Sequence, residues 1–245
     1  MDSTSNTRAP SVHWTSVALT HTGLVRQANE DAFCARPEAG LWAVADGLGG
    51  HSAGDVASRS VVEGLARLRA QPQLSLMVEF IEHSLLDTHA RLLALGAGER
   101  TVGSTVVALT IVGAHAAYLW VGDSRLYRYR DGALARLTTD HSKVEEFVER
   151  GLLRPENAAG HPQAHLLTRA IGARPELFID MDVCEVRPGD RFLLCSDGLD
   201  KHVANDEIAA RCELPEPRAF AEALLDLTLA RGAADNVTLC VVDIH

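Results

Sequence analysis

Basic clusters are missing from this sequence. Lysine and arginine number 23 against 33 acidic residues, a formal net charge of −10 over 245 residues. Without a cationic block the chain lacks the electrostatic footprint of a nucleic-acid binder, and its surface repels anionic membranes. An anionic ligand would need the local charge reversed, by arginine or by metal ions. Cysteines are few: Cys34, Cys184, Cys195, Cys212 and Cys240 form no CxxC pair, and several sit in apolar runs such as FLLCSDG and NVTLCVV. Buried thiols in a reducing compartment are expected, rather than disulfides or a zinc site. The opening MDSTSNTRAPS has no apolar signal-peptide core. Residues 1–12 are expected to form a disordered lead-in to one domain over 13–245, in the cytoplasm. One uncharged stretch, TVGSTVVALTIVGAHAAYLWVG over 101–122, is long enough to span a bilayer. Its β-branched residues and the interruption at Gly113 favour two antiparallel strands around a turn, so no membrane insertion is expected.

What is present is a mixture of strands and helices. Strands are expected at Trp14–Thr20, Asp31–Ala35, Leu41–Ala45, Ser104–Val112, Ala116–Val121, Leu126–Tyr129, Leu134–Leu137, Ile179–Glu185, Arg191–Cys195 and Val237–Ile244. Asp131-Gly132 is a strong hairpin signal and Pro188-Gly189-Asp190 a turn. Helical spacing marks Gly54–Leu68, with Val56, Val61, Val62, Leu65 and Leu68 as its apolar face, and Leu74–Leu95. Shorter helices are expected at Ser142–Arg150, at Asn205–Arg211 with Asn205 as the cap, and at Arg218–Arg231. Hairpin turns outnumber βαβ crossovers, which points to a single α+β unit with mostly antiparallel sheet.

The stretch Leu41–Gly50, LWAVADGLGG, runs apolar to Asp46 and then turns to glycine. In isolation Asp-Gly reads as a hairpin turn. The same pattern recurs, however. Ala117–Val121 ends at Gly122-Asp123-Ser124, Phe192–Ser196 ends at Asp197-Gly198, and Asp235-Asn236 opens into VTLCVV. Four aspartates at the tips of apolar strands can converge on one rim of a sheet, where they repel unless a cation neutralises them. Carboxylates with backbone carbonyl and water suit Mg²⁺ or Mn²⁺, and no His/Cys cluster has zinc spacing.

Eight short stretches, in order, resemble a known family. They are Arg26-Gln-Ala-Asn-Glu30-Asp31, Asp46-Gly-Leu-Gly-Gly50, Gly103-Ser-Thr105, Val121-Gly-Asp-Ser-Arg-Leu-Tyr127, Asp140-His141, Leu167-Thr-Arg-Ala-Ile-Gly172, Cys195-Ser-Asp-Gly-Leu199 and Asp235-Asn-Val-Thr238. Each is weak alone; together they resemble the metal-dependent PPM, or PP2C-type, protein serine/threonine phosphatases. The resemblance implies a four-layer αββα sandwich, two central antiparallel sheets flanked by helices. It implies two Mn²⁺ or Mg²⁺ ions bridged by Asp46. The Gly47 carbonyl would bind one ion, and Asp197 with Asp235 would complete the other. Asp123 and Asp197 would form a weaker third site, Glu30 and Asp31 would hold metal-bound water, and Arg26 would grip the substrate phosphate. Asp46, Asp197 and Asp235 would thus carry catalysis. The chemistry is coherent: two ions orient and activate a water for in-line attack, which needs no protein nucleophile, so Ser124 and Ser196 are expected to be structural.

Leu48 departs from the pattern. Many eukaryotic members carry histidine there, proposed as general acid. His51 could supply the acid or be an exposed loop histidine, His141 could do so or cap a turn, and metal-bound water could protonate the leaving alkoxide instead. Arg169 suits an ion pair better than a substrate contact. Residues 151–163 fall where the family carries a variable flap, so Arg154 and His161 are either substrate-touching or solvated. The implied function is hydrolysis of phosphoserine or phosphothreonine on proteins, opposing a Hanks-type Ser/Thr kinase. The wording around Leu41–Arg59 also resembles the phosphatases of type VI secretion clusters, which reset a phosphothreonine on a forkhead-associated scaffold protein. A catalytically silent kinase- or phosphoprotein-binding scaffold is the second reading, which loss of Asp46, Asp197 or Asp235 would favour. A small-molecule phosphatase, the third, would need a deep pocket.

Overall fold

Strict two-residue alternation within unbroken apolar runs means that both faces of a strand are buried. In the computed structural model, which describes residues 12–49, 53–96, 102–158 and 160–245, that is what the strands do. Chain order is β1 (Trp14–His21), β2 (Asp31–Arg36), β3 (Leu41–Leu48), α1 (Ala53–Ala66), α2 (Leu74–Leu95), β4 (Gly103–Ser104), β5 (Val106–Val112), β6 (His115–Val121), β7 (Arg125–Arg130), β8 (Ala133–Arg136), α3 (Lys143–Glu149), β9 (Asp180–Glu185), β10 (Arg191–Cys195), α4 (Asp197–Asp200), α5 (Asn205–Arg211), α6 (Pro217–Ala230) and β11 (Val237–Ile244).

One sheet runs β1-β11-β10-β7-β8; the other runs β2-β3-β5-β6-β9, with β4 paired to the end of β3. Every strand pairing among the described residues is antiparallel. Between the sheets lie Trp42, Val44, Leu109, Trp120, Phe192, Leu194 and Val242. The alternate residues Leu41, Ala43 and Ala45 pack on α1 and α2 through Leu65, Ile81 and Leu85. On the far side Leu193, Leu239 and Val241 pack on α5 and α6 through Ile208, Phe220 and Leu224. The result is the expected αββα sandwich.

The uncharged stretch over 101–122 is the β5–β6 hairpin, turning at Gly113 (φ +61°). No described helix is long and apolar enough to cross a membrane. The Asp131-Gly132 turn has both residues at positive φ, 51° and 81°, the geometry of a type I′ hairpin. All five cysteines are free and, Cys184 apart, buried.

Three expectations are corrected. β3 does not stop at Ala45 but continues through Asp46, Gly47 and Leu48, because Gly47 and Leu48 pair with Ser104 and Gly103. The helix at 205–211 is capped by Ala204 and not by Asn205: the Glu207 carboxylate reaches back to accept from Ala204 N at 3.1 Å. Val56, placed on the apolar face of α1, is 46% exposed. The 1–12 lead-in falls, up to residue 11, outside the described residues, as do Gly50 and His51.

Candidate active site

Strand parity decides where the acids point. Asp46 shares the parity of Trp42 and Val44, so it stays on the inter-sheet face as β3 reaches the end of the sandwich. Asp31 is its register partner on β2. On the facing sheet, Ser196 continues the parity of Phe192 and Leu194, and Thr238 that of Cys240. Ser196 Oγ donates to Asp31 Oδ2 at 2.7 Å and accepts from Thr238 N at 3.0 Å, joining the two sheets at this end. Asp123 lies in the turn by which the chain crosses from β6 in one sheet to β7 in the other. Asp197 opens α4 one residue after β10, and Asp235 lies two residues before the start of β11. Four strand tips read separately in sequence thus meet at one rim.

The other motif residues build the frame. Asp46 N donates to Thr105 Oγ1 at 3.0 Å, and Asp46 O accepts from Thr105 N at 2.8 Å and Ser104 Oγ at 3.0 Å. Thr105 Oγ1 in turn pairs with Ser124 Oγ at 2.7 Å. Ser124 and Ser196 are therefore engaged in buried structural bonds. Gly47 is required by close approach: a Cβ there would sit 2.1 Å from Gly54 O and 2.7 Å from Glu30 O. At Gly54 a Cβ would lie 2.8 Å from Gly47 O and 2.9 Å from the Glu30 carboxyl carbon, so that carbonyl and that carboxylate share one small space. Arg125 holds the far side, with Nη2 at 2.7 Å from Asp140 and Nη1 at 2.9 Å from Asp200.

Electrostatically the rim is strained. Burial pushes the Asp46 carboxyl well above the usual carboxylate range, and the charges of Asp31, Asp197, Asp123 and Asp235 push it further. Asp123 is raised by burial and then by Asp197. Burial lifts Asp31 to about 7 against the pull of its Ser196 hydrogen bond. Asp235 goes the other way. Burial would raise it, but Arg26 and Lys201 hold it below the ordinary value. Arg26 grips Asp235 with Nε at 2.9 Å from Oδ1 and Nη2 at 3.1 Å from Oδ2, while its side chain is half exposed. Lys201 Nζ lies 2.6 Å from Asp197 and 3.0 Å from Asp235. Lys201 was not singled out in the sequence, although its spacing four residues after Asp197 is the signal that could have found it.

Among the described residues, no three His, Cys, Asp or Glu side chains form a closed cage for an ion in this arrangement. The donors nevertheless fit divalent cations. The Oδ1 atoms of Asp31, Asp197 and Asp200 are buried without a hydrogen-bond partner, and orphaned anionic oxygens are costly unless something positive meets them. Oxygen-only donors at mutually repelling carboxylates are what Mg²⁺ and Mn²⁺ take.

The weaker candidates separate cleanly. His141 is buried; its Nδ1 accepts from Gly122 N at 3.1 Å and its Nε2 lies 3.0 Å from Asp180 Oδ2, so both ring nitrogens are engaged. Arg169 pairs with Asp180 at 2.6 Å, the expected ion pair. His161 packs edge-on to Phe147, ring centroids 5.7 Å apart, and Arg154 is exposed. A cleft of about 760 Å³ lies beside this region between Lys143, Leu166, Arg174 and Phe178, and the strand-tip aspartates do not line it.

Residues 21–235 match the family profile described as Protein phosphatase 2C. The serine/threonine protein phosphatase PstP of Mycobacterium tuberculosis is 36% identical over 230 residues, 93% of this chain; the chain spans 44% of that protein's length. Among solved structures, one described as PppA, a key regulatory component of T6SS in Pseudomonas aeruginosa, superposes with a TM-score of 0.89 at 40% identity, covering 95% of this chain and 98% of the other. The catalytic domain of PstP in complex with two manganese ions superposes with a TM-score of 0.85 at 34% identity, covering 96% and 99%. With the motifs in order, the sandwich formed and the aspartates gathered at its end, the chain belongs to the protein phosphatase 2C family.

Proposed function

We propose that this chain is a Mn²⁺- or Mg²⁺-dependent protein serine/threonine phosphatase. The observation that carries this reading is the rim of mutually repelling aspartates around Asp46, in a chain whose relative PstP is described with two manganese ions. Asp46, Asp197 and Asp235, with the Gly47 carbonyl, would hold two ions, and Asp123 with Asp197 a third. When bound, the ions supply positive charge against the phosphoryl oxygens and activate the attacking water. Glu30 and Asp31 would accept hydrogen bonds from water around them. Arg26, half exposed and already in fork geometry on Asp235, would turn that fork to the substrate phosphate. Leu48 cannot donate a proton, and among the described residues His141 has both ring nitrogens engaged, so neither supplies the leaving alkoxide with a proton.

The substrate class is a phosphothreonine or phosphoserine protein, with a Hanks-type kinase or a forkhead-associated scaffold protein as partner. The likeness to PppA supports a place in type VI secretion control. Free thiols at all five cysteines support a cytoplasmic setting. Turnover of phosphothreonine peptides and p-nitrophenyl phosphate with Mn²⁺, and with a chelator, tests the reading. Asp197→Ala and Asp235→Ala should abolish Mn²⁺-dependent turnover. Near-wild-type turnover in either variant would sink the two-ion assignment. Phosphopeptide binding with no hydrolysis by the wild-type chain would instead establish the silent scaffold.

A further inference from the structure

Asp235 and Asp197 are the two acids at the rim that a side-chain cation joins. Lys201 follows α4, placed by helical spacing so that its Nζ sits 2.6 Å from Asp197 Oδ2 and 3.0 Å from Asp235 Oδ2. Among the described residues nothing else partners the Asp197 carboxylate: its Oδ1 is buried and unbonded. The Lys201 side chain is 40% exposed against 18% and 21% for the two acids, so its ammonium reaches in from solvent on a flexible stem. A single positive point charge therefore occupies the space between two carboxylates that would otherwise repel each other.

We propose that Lys201 is a tethered competitor for the metal site: its ammonium bridges Asp197 and Asp235 and must swing out to solvent before those carboxylates can close on a divalent ion. The inference rests on the two-ion reading above and goes beyond it, because it makes loading depend on this lysine. A monovalent cation held by its own chain is present at high effective concentration, so it sets a threshold that free Mn²⁺ or Mg²⁺ must exceed. The chain would then respond to metal supply over a higher concentration range than the same site without the lysine.

Lys201→Met keeps the stem and removes the charge. Mn²⁺ binding is read directly from the electron paramagnetic resonance signal of free Mn²⁺, and thermal unfolding is followed in chelator and in saturating Mn²⁺. The expected result is at least tenfold tighter Mn²⁺ binding by Lys201→Met, about 1.4 kcal/mol, with a lower midpoint in chelator and a larger Mn²⁺-induced rise. Lys201→Arg, which keeps the charge, should stay closer to wild type. Equal or weaker Mn²⁺ binding by Lys201→Met overturns the inference while leaving the two-ion reading intact. A wild-type chain that binds no Mn²⁺ overturns both. Should Lys201→Met not fold, the nitrogen-15 resonance of the Lys201 ammonium in the wild-type chain decides. It should shift on titration with Mg²⁺; an ammonium signal indifferent to saturating Mg²⁺ refutes the competition.

Discussion

Asn236 is the residue whose loss would separate the frame of the site from its acids. Its side chain, 6% exposed, accepts from Glu30 N at 2.8 Å and donates to Thr22 O at 2.7 Å and Ala28 O at 2.9 Å. These three bonds pin the 22–30 segment, which carries Arg26 and Glu30, to the strand tip bearing Asp235. In Asn236→Ala all three are lost. At about 1 kcal/mol net for each, the loss is about 3 kcal/mol. For a domain of this size that corresponds to a fall of about 6–12 °C in the unfolding midpoint. Urea denaturation in chelator measures it without ion binding masking the change, and the slope should be unchanged. Because the pinned segment carries Arg26, KM for a phosphopeptide should rise as well. Asn236→Asp keeps the acceptor for Glu30 N but turns an anionic oxygen toward two carbonyls, so it should destabilise at least as much. A loss below about 1 kcal/mol in Asn236→Ala, with unchanged KM, would refute the claim that this side chain organises the segment.

Asp243→Ala strands the buried Arg191, which Asp243 grips through two contacts of 2.6 Å, and should cost about 3–5 kcal/mol by chemical denaturation; a loss under 1 kcal/mol would show that the carbonyls of Cys212, Leu214 and Pro215 suffice. Arg26→Ala should raise KM for a phosphopeptide by about ten- to a hundredfold, the worth of a charge-assisted pair, while Mn²⁺ binding persists; unchanged steady-state kinetics would remove its phosphate role. In Gly198→Ala the new Cβ would lie 1.9 Å from Asn236 O, so α4 and the Asp235 tip must part, with a loss of about 1–3 kcal/mol and of Mn²⁺-dependent turnover. Burial pushes the Cys34 and Cys212 thiols up to about 11, so at pH 8 a thiol reagent should label Cys184 first and the buried four only in denaturant; rapid native labelling of Cys34 would contradict the packing.

Much of this molecule is legible in its sequence. Runs such as FLLC and VTLCVV alternate around two buried faces, and their bounds at Arg191–Cys195 and Val237–Ile244 follow from the turn residues beside them. The acids at Asp46, Asp123, Asp197 and Asp235 are visible because carboxylates rarely end apolar strands without a reason. Where reading failed at β3 a tertiary partner had intervened, and at Asn205 a local one. β3 runs on past Asp46 because Gly103-Ser104 returns to pair with it. Asn205 yields its cap to a reach-back from Glu207.

The sequence by itself determined the alternation, the helices other than α4 and the list of acids, because each depends on near neighbours along the chain. Only the tertiary structure decided that Asp31 faces Asp46, that Ser196 joins the two sheets and that His141 is occupied, since these contacts join residues far apart in the chain. It alone placed Lys201 between Asp197 and Asp235. The spacing to Asp197 is local, but Asp235 arrives from the next strand tip, and an ammonium settles where two negative charges converge.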